Sequence, residues 1–254
     1  IKVKADSYQR EAEHRDALLK LARFRSTKGD GWTSLADYIG RMKSGQEAIY
    51  YLTASDEEAA KRSPHLEGFA SHDIEVLLLS DAVDDFWLSV ADNFDDKPLR
   101  SITRGASDLS KLRGEGEDES PATDKSSDED FVSLIVAIKL HLGETVKDVR
   151  ITDRLTDSPV CLVADDDDLD VHMERILRQH EQLAAATPRI LELNPSHSLV
   201  QALGMLAEKD GGSDVMKDAS LLLLDQARIL EGETPADPSA FAGRLSQMLI
   251  KAVS

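Results

Sequence analysis

A thiol, a pair of histidines and a run of carboxylates are the residues of this sequence whose types could do chemistry. Cys161 would attack a substrate only as a thiolate with a base beside it. It sits instead among Val160, Leu162 and Val163, a strand-like run where cysteine packs as a small hydrophobe. His172 and His180 are eight residues apart on one stretch, whereas a helix-borne metal pair wants a spacing of four. Asp165 to Asp168 with Asp170 carry the charge of a calcium loop but not its spacing. Counted from Asp165, the sixth position is Asp170 rather than glycine, and the twelfth is Ile176 rather than glutamate. A solvated acidic turn feeding a helix N-terminus accounts for that run better. The segment Lys28, Gly29, Asp30, Gly31 lacks the lysine and hydroxyl pair of a phosphate cradle, and Gly114 and Gly116 lie in an acidic stretch. Adjacent carboxylates such as Asp84 and Asp85 are the rule in so acidic a chain and do not by themselves mark acid-base chemistry. The expectation is a chain with no catalytic, cofactor-binding or metal site.

Charge narrows the partners. The 254 residues carry 48 acidic against 30 basic side chains, a formal net of −18. Such a surface repels phosphate backbones and anionic lipid, so neither nucleic acid nor membrane is expected as a partner. No apolar run reaches the roughly 20 residues of a membrane span. The single cysteine excludes an internal disulfide, which fits a reducing compartment, and the cytoplasm is the expected location. The opening Ile1 to Arg10 has neither an initiating Met nor a signal-peptide core and reads as the interior of a longer protein.

The elements that must position these residues follow from periodicity. Asp6 to Arg25 turns apolar at helical spacing, and Ser34 to Met42 reads as a short helix capped by Thr33 or Ser34. Ala48 to Thr53, Ser55 to Phe69 and Ile74 to Leu79 form a strand-helix-strand unit whose strands should be parallel and covered on both faces. A helix from Ala82 to Asp92 and a strand from Leu99 to Thr103, after a turn at Asp96, Lys97 and Pro98, complete an α/β first domain over residues 1–113. Residues 114–130 hold eight acidic side chains and one lysine with almost no aliphatic carbon, the composition of a mobile linker. Residues 131–254 read as α+β with a helical end. A helix from Phe131 to Leu142 leads to strands at Val146 to Ile151, Pro159 to Val163 and Pro188 to Leu193. Between the last two lies a helix over Leu169 to His180, and helices follow at Ser196 to Glu208, Asp214 to Glu231 and Ser239 to Val253.

Two apolar patterns call for a partner. The helix from Asp214 to Glu231 is apolar on more than one face, with Leu221, Leu222 and Leu224 among its side chains. The last helix offers Phe241, Leu245, Met248 and Leu249 as a stripe. A homodimer seam and internal packing both account for them at this level. Phe86, Trp87 and Val90, and then Leu169, Met173, Ile176 and Leu177, place apolar side chains on acidic helices, as adaptable contact surface or as core.

A series of short motifs is similar to the heat-shock protein 90 family: Arg23 to Thr27, Ser34 to Tyr38, Arg41 to Gln46, Ile49 to Tyr51, Ser63 to Glu67, Ile74 to Leu77, Arg154 to Pro159, Leu193 to Pro195 with His197, and Asp237 to Ser239. They run in order along nearly the whole chain. The absence of an acidic pentapeptide after Ser254 points to the bacterial branch. The resemblance implies part of an ATP-driven, dimeric clamp. Its ATP and Mg site and its catalytic arginine would lie upstream of Ile1, leaving the small α/β part of a middle domain and the dimerisation domain with its helical seam. It also implies that non-native client proteins touch the helix holding Asp85, Phe86, Trp87 and Ser89 and the amphipathic helix holding Leu169, Met173, Ile176 and Leu177. Ser89 departs from the polar amide of the family pattern.

Overall fold

The computed structural model describes residues 15–81, 83–88, 91–104, 131–165, 168, 174, 177 and 187–253. The chain divides into two compact units, residues 1–117 with 166–186, and residues 118–165 with 187–254. The acidic stretch 114–130 and most of the helix expected over Leu169 to His180 lie outside the described residues.

The first unit is a five-stranded mixed sheet between two apolar layers. Helix α1 (Arg15–Leu21) precedes β1 (Arg25–Ser26), and α2 (Leu35–Gly40) leads to β2 (Ile49–Thr53). Helices α3 (Glu57–Lys61) and α4 (Glu67–Ser71) cross over to β3 (Leu77–Leu79), followed by α5 (Asp84–Leu88), β4 (Asn93–Phe94) and β5 (Lys97–Ser101). The strand order is β1-β3-β2-β5-β4, with β2 parallel to both β3 and β5. Alternation along β2 and β3 sends Tyr50, Leu52 and Leu78 to one core with Phe69 and Val76, and Ile49, Leu77 and Leu79 to another with Leu19, Tyr38 and Trp87. The parallel pairing and two-sided cover match the expectation from sequence.

Three local readings are corrected. The first helix stops at Leu21 rather than Arg25, because Phe24 exchanges backbone hydrogen bonds with Thr33 and Arg25 joins the sheet. The helix expected from Ser55 to Phe69 is two helices. Asp56 rather than Ser55 caps the first, and Ser63 and Pro64 start a 3-10 turn before the second, since proline opens a helical turn but cannot continue one. The turn before β5 is Asp95 and Asp96, both at positive φ, and it closes a two-residue hairpin with β4, a strand that the sequence reading missed.

The second unit stacks three helices on one face of a three-stranded sheet. Its elements are α6 (Val132–Leu142), β6 (Val146–Ile151), β7 (Val160–Val163), β8 (Arg189–Leu193), α7 (Ser198–Asp210), α8 (Asp214–Leu230) and α9 (Pro238–Val253). β8 lies between β6, parallel to it, and β7, antiparallel to it. The main core joins Val149, Leu162, Leu191 and Leu193 of the sheet to Ile138, Val200, Met216 and Leu223 of the helices. The opposite face carries a small cluster of Leu155, Cys161, Val163 and Ile190.

Candidate interaction surface

The motifs that carried the resemblance turn out to build the scaffold. Ser34 and Asp37 form a reciprocal capping box that starts α2, and the hydrogen bonds from Ser34 hold the Asp37 carboxyl below its ordinary range. The buried Tyr38 hydroxyl donates to the Glu75 carbonyl at 2.7 Å and accepts from Gln46 Nε2 and the Tyr50 amide, each at 3.0 Å. Burial pushes its pKa upward, so it remains a phenol. Arg41 grips Glu75 with two parallel hydrogen bonds of 2.9 and 2.8 Å and reaches Thr33 Oγ1 at 2.6 Å. One tyrosine and one arginine thus tie α2 to the start of β2 and to the chain entering β3.

Helix α5 carries Asp85, Phe86 and Trp87. Trp87 is buried, packed against the Phe24 ring at 5.6 Å, and its indole N–H donates to Asp84 Oδ1 at 2.7 Å. The expectation of an exposed Trp87 is therefore corrected: three residues before it, Asp84 supplies the acceptor that lets an indole enter the core. Ser89, Leu169, Met173 and Ile176 lie outside the described residues, as do the side chains of Asp85 and Phe86, and Leu177 is half-buried. An open groove of about 670 Å³ runs beside Leu18, Leu21, Trp32, Leu78 and Trp87. Trp32 at its edge is exposed, with the Arg25 guanidinium 4.6 Å from the ring centre.

In the second unit the sheet register sets Glu192 of β8 opposite Arg150 on β6 and Cys161 on β7. Arg154 donates to Glu192 Oε2 at 2.9 and 3.1 Å, and Arg150 to Oε1 at 2.6 and 3.0 Å. Burial opposes the Glu192 charge, but the two guanidiniums outweigh it and hold the carboxyl below its ordinary range. Cys161 Sγ lies 3.7 Å from the same carboxylate. Burial first, and then the Glu192 charge, push its thiol well above the ordinary value, the opposite of an activated nucleophile. Among the described residues no group of three His, Cys, Asp or Glu side chains is placed to hold a metal ion, and no helix is long and apolar enough to cross a membrane.

The last two helices each expose apolar side chains. Leu224 belongs to the unit's own core, so its expected place in a seam is corrected, while Leu221 and Leu222 are half-buried. On α9, Phe241 and Met248 are half-buried, but Leu245 and Leu249 are exposed, and so are Ile250 and Val253 on the same helix and Ile229 and Leu230 on α8. The sequence reading passed over Val253, although Leu245, Leu249 and Val253 recur every fourth residue, the signal that would have found it.

A family model described as Hsp90 protein matches residues 3–254, nearly the whole chain. The chain belongs to this family. It is 52% identical over 241 residues to the chaperone protein HtpG of Roseobacter denitrificans, covering 94% of this chain and 39% of that protein. It is 49% identical over 241 residues to the HtpG of Paramagnetospirillum magneticum, covering 94% and 38%. With the HtpG of Methylorubrum populi it shares 45% identity over 268 residues, covering 99% and 41%. The chain thus spans about two fifths of the length of the curated relatives it matches. In this member of the Hsp90 family the matching motifs at Tyr38, Arg41 and Arg154 are hydrogen-bonding hubs of the fold.

Proposed function

We propose that this chain is the client-contacting and dimerising part of a bacterial Hsp90-type chaperone, with the ATP and Mg site in a part of the protein upstream of Ile1. On this reading the chain neither binds nor hydrolyses ATP, and it works in the cytoplasm as one arm of a homodimer. The observation that carries it is the set of exposed apolar side chains on α8 and α9: Ile229, Leu230, Leu245, Leu249, Ile250 and Val253. Water contact with six large aliphatic side chains on two adjoining helices is costly, and a second copy offering the same face removes it. Family membership favours that occupant.

Client contact belongs to α5 through Asp85, Phe86 and neighbouring Ser89, and to Leu169, Met173, Ile176 and Leu177. The resemblance assigns these residues; the burial of Trp87 takes it out of the contact surface. Two arms bearing such patches would hold a non-native protein by several weak contacts at once.

Sedimentation equilibrium over a wide concentration range tests the dimer. Dissociation in the low micromolar range or tighter is expected, and Leu249→Asp should yield a monomer with unchanged circular dichroism. A wild-type chain that stays monomeric at high concentration would overturn the seam. Suppression of client aggregation by the dimer, reduced by Phe86→Ala with Met173→Ala while fold and dimer persist, tests the client surface. An unchanged suppression would reject it. The alternative, a scaffold that only dimerises, predicts no suppression by the wild type.

A further inference from the structure

We propose that Arg244 is a latch that sets the seam-forming face of α9, so that dimerisation is regulated by salt through an ion pair inside one chain. The inference rests on the dimer reading above and adds its regulation. Among the described residues of α9 none is fully buried, so core packing alone does not fix how this helix is rotated. Its half-buried residues are Phe241, Arg244 and Met248, spaced by three and four, with Ala240 beside them. Leu245, Leu249 and Val253 occupy the exposed positions.

On that half-buried flank Arg244 spans two carboxylates of α8. Its Nε lies 3.7 Å from Asp218 Oδ1 and its Nη1 lies 4.0 Å from Asp225 Oδ2. The two aspartates are seven residues apart, so they lie on one face of α8 two turns from each other. Asp225 is only 5% exposed, and its Oδ1 meets Arg228 of its own helix at 3.4 Å. A carboxylate that deeply covered needs its cations, and Arg228 serves only one of its oxygens. The other is left to the one residue that α9 supplies. A planar fork can address both aspartates at once, which a lysine cannot.

Without the latch, α9 would turn on α8 and the second copy would have to order it on binding, which weakens the dimer without removing any seam side chain. Added sodium chloride screens the partly exposed pair and should act in the same direction, whereas a purely apolar seam is not weakened by it.

Sedimentation equilibrium of the wild type, Arg244→Met, Asp218→Asn and Arg244→Met with Asp225→Asn, at low and high sodium chloride, decides the matter. The wild-type dissociation constant should rise with salt. Arg244→Met should dimerise about tenfold more weakly at low salt and lose most of the salt response, with the double variant no weaker than the single one. Asp218→Asn, which leaves no buried cation behind, should weaken the dimer about two- to threefold. Circular dichroism should be the same in all. A dimeric wild type whose affinity and salt response are shared by Arg244→Met overturns the latch alone. Should Arg244→Met not fold, an Asp218→Asn chain with unchanged affinity and salt response overturns it. A wild type that is monomeric throughout overturns the seam and the latch together.

Discussion

The guanidinium of Arg154 and the carboxylate of Glu192 meet at 2.9 Å inside the second unit, with side-chain exposures of 4% and 1%. They lie 38 residues apart in sequence, and the pair joins the loop after β6 to the central strand β8. Replacing Glu192 by Gln would leave Arg154 as an uncompensated buried cation. A loss of about 3–5 kcal/mol in urea unfolding is expected. Arg150→Ala, at a half-exposed position, should cost under about 1 kcal/mol. Equal midpoints for Glu192→Gln and the wild type would refute the assignment.

The same carboxylate sets an acid limit. Its folded pKa lies below the ordinary value, so the unfolded chain takes up a proton first as pH falls. The stabilisation is complete above the ordinary glutamate range and disappears as pH drops through the folded value. Urea midpoints measured from neutral to acid pH should fall less steeply in Glu192→Gln than in the wild type.

Cys161 sets an alkaline limit of the opposite sign. A thiol whose pKa is raised in the fold stabilises the native state fully below the ordinary cysteine value, and that contribution is lost above it as the unfolded thiol ionises. Cys161→Val should flatten the alkaline decline. Iodoacetamide at neutral pH should leave native Cys161 unmodified and label it in urea, and rapid native labelling would restore the nucleophile reading.

The two tryptophans should report opposite environments. Trp87 is 2% exposed and Trp32 is 64% exposed. Trp32→Phe should leave a blue-shifted emission that acrylamide hardly quenches, and Trp87→Phe a red-shifted emission that it quenches readily. Trp87→Ala should destabilise by about 3–5 kcal/mol in a denaturant titration. A readily quenched Trp87 would contradict its place in the core.

Removing the Tyr38 hydroxyl takes an acceptor from the Tyr50 amide and a donor from the Glu75 carbonyl. Tyr38→Phe is expected to cost about 1–3 kcal/mol, read from a urea midpoint. No change would mean that water or neighbouring groups satisfy both.

Much of this architecture was legible in one dimension. Runs such as Ile49 to Thr53 and Leu77 to Leu79 announce doubly covered parallel strands, because a strand buried on both faces has no polar alternation. Where the reading failed, a local feature competed with periodicity. Pro64 interrupts a helix that composition favours, and Asp95 and Asp96 adopt a left-handed turn that aspartate tolerates without advertising it.

Trp87 and Leu224 mark the boundary more sharply. Each is a large apolar side chain buried in the core of its own unit, and periodicity says that a helix has an apolar face without saying what covers it. By itself the sequence determined the acidic character of the chain, the kind and order of most elements, an inert cysteine environment and the family. Only the tertiary structure decided which apolar residues are spent on the chain's own core and which stay exposed, and that Arg154 pairs with Glu192 and Arg41 with Glu75. The reason is that burial and ion pairing are set by segments tens of residues apart, and no local spacing encodes those meetings.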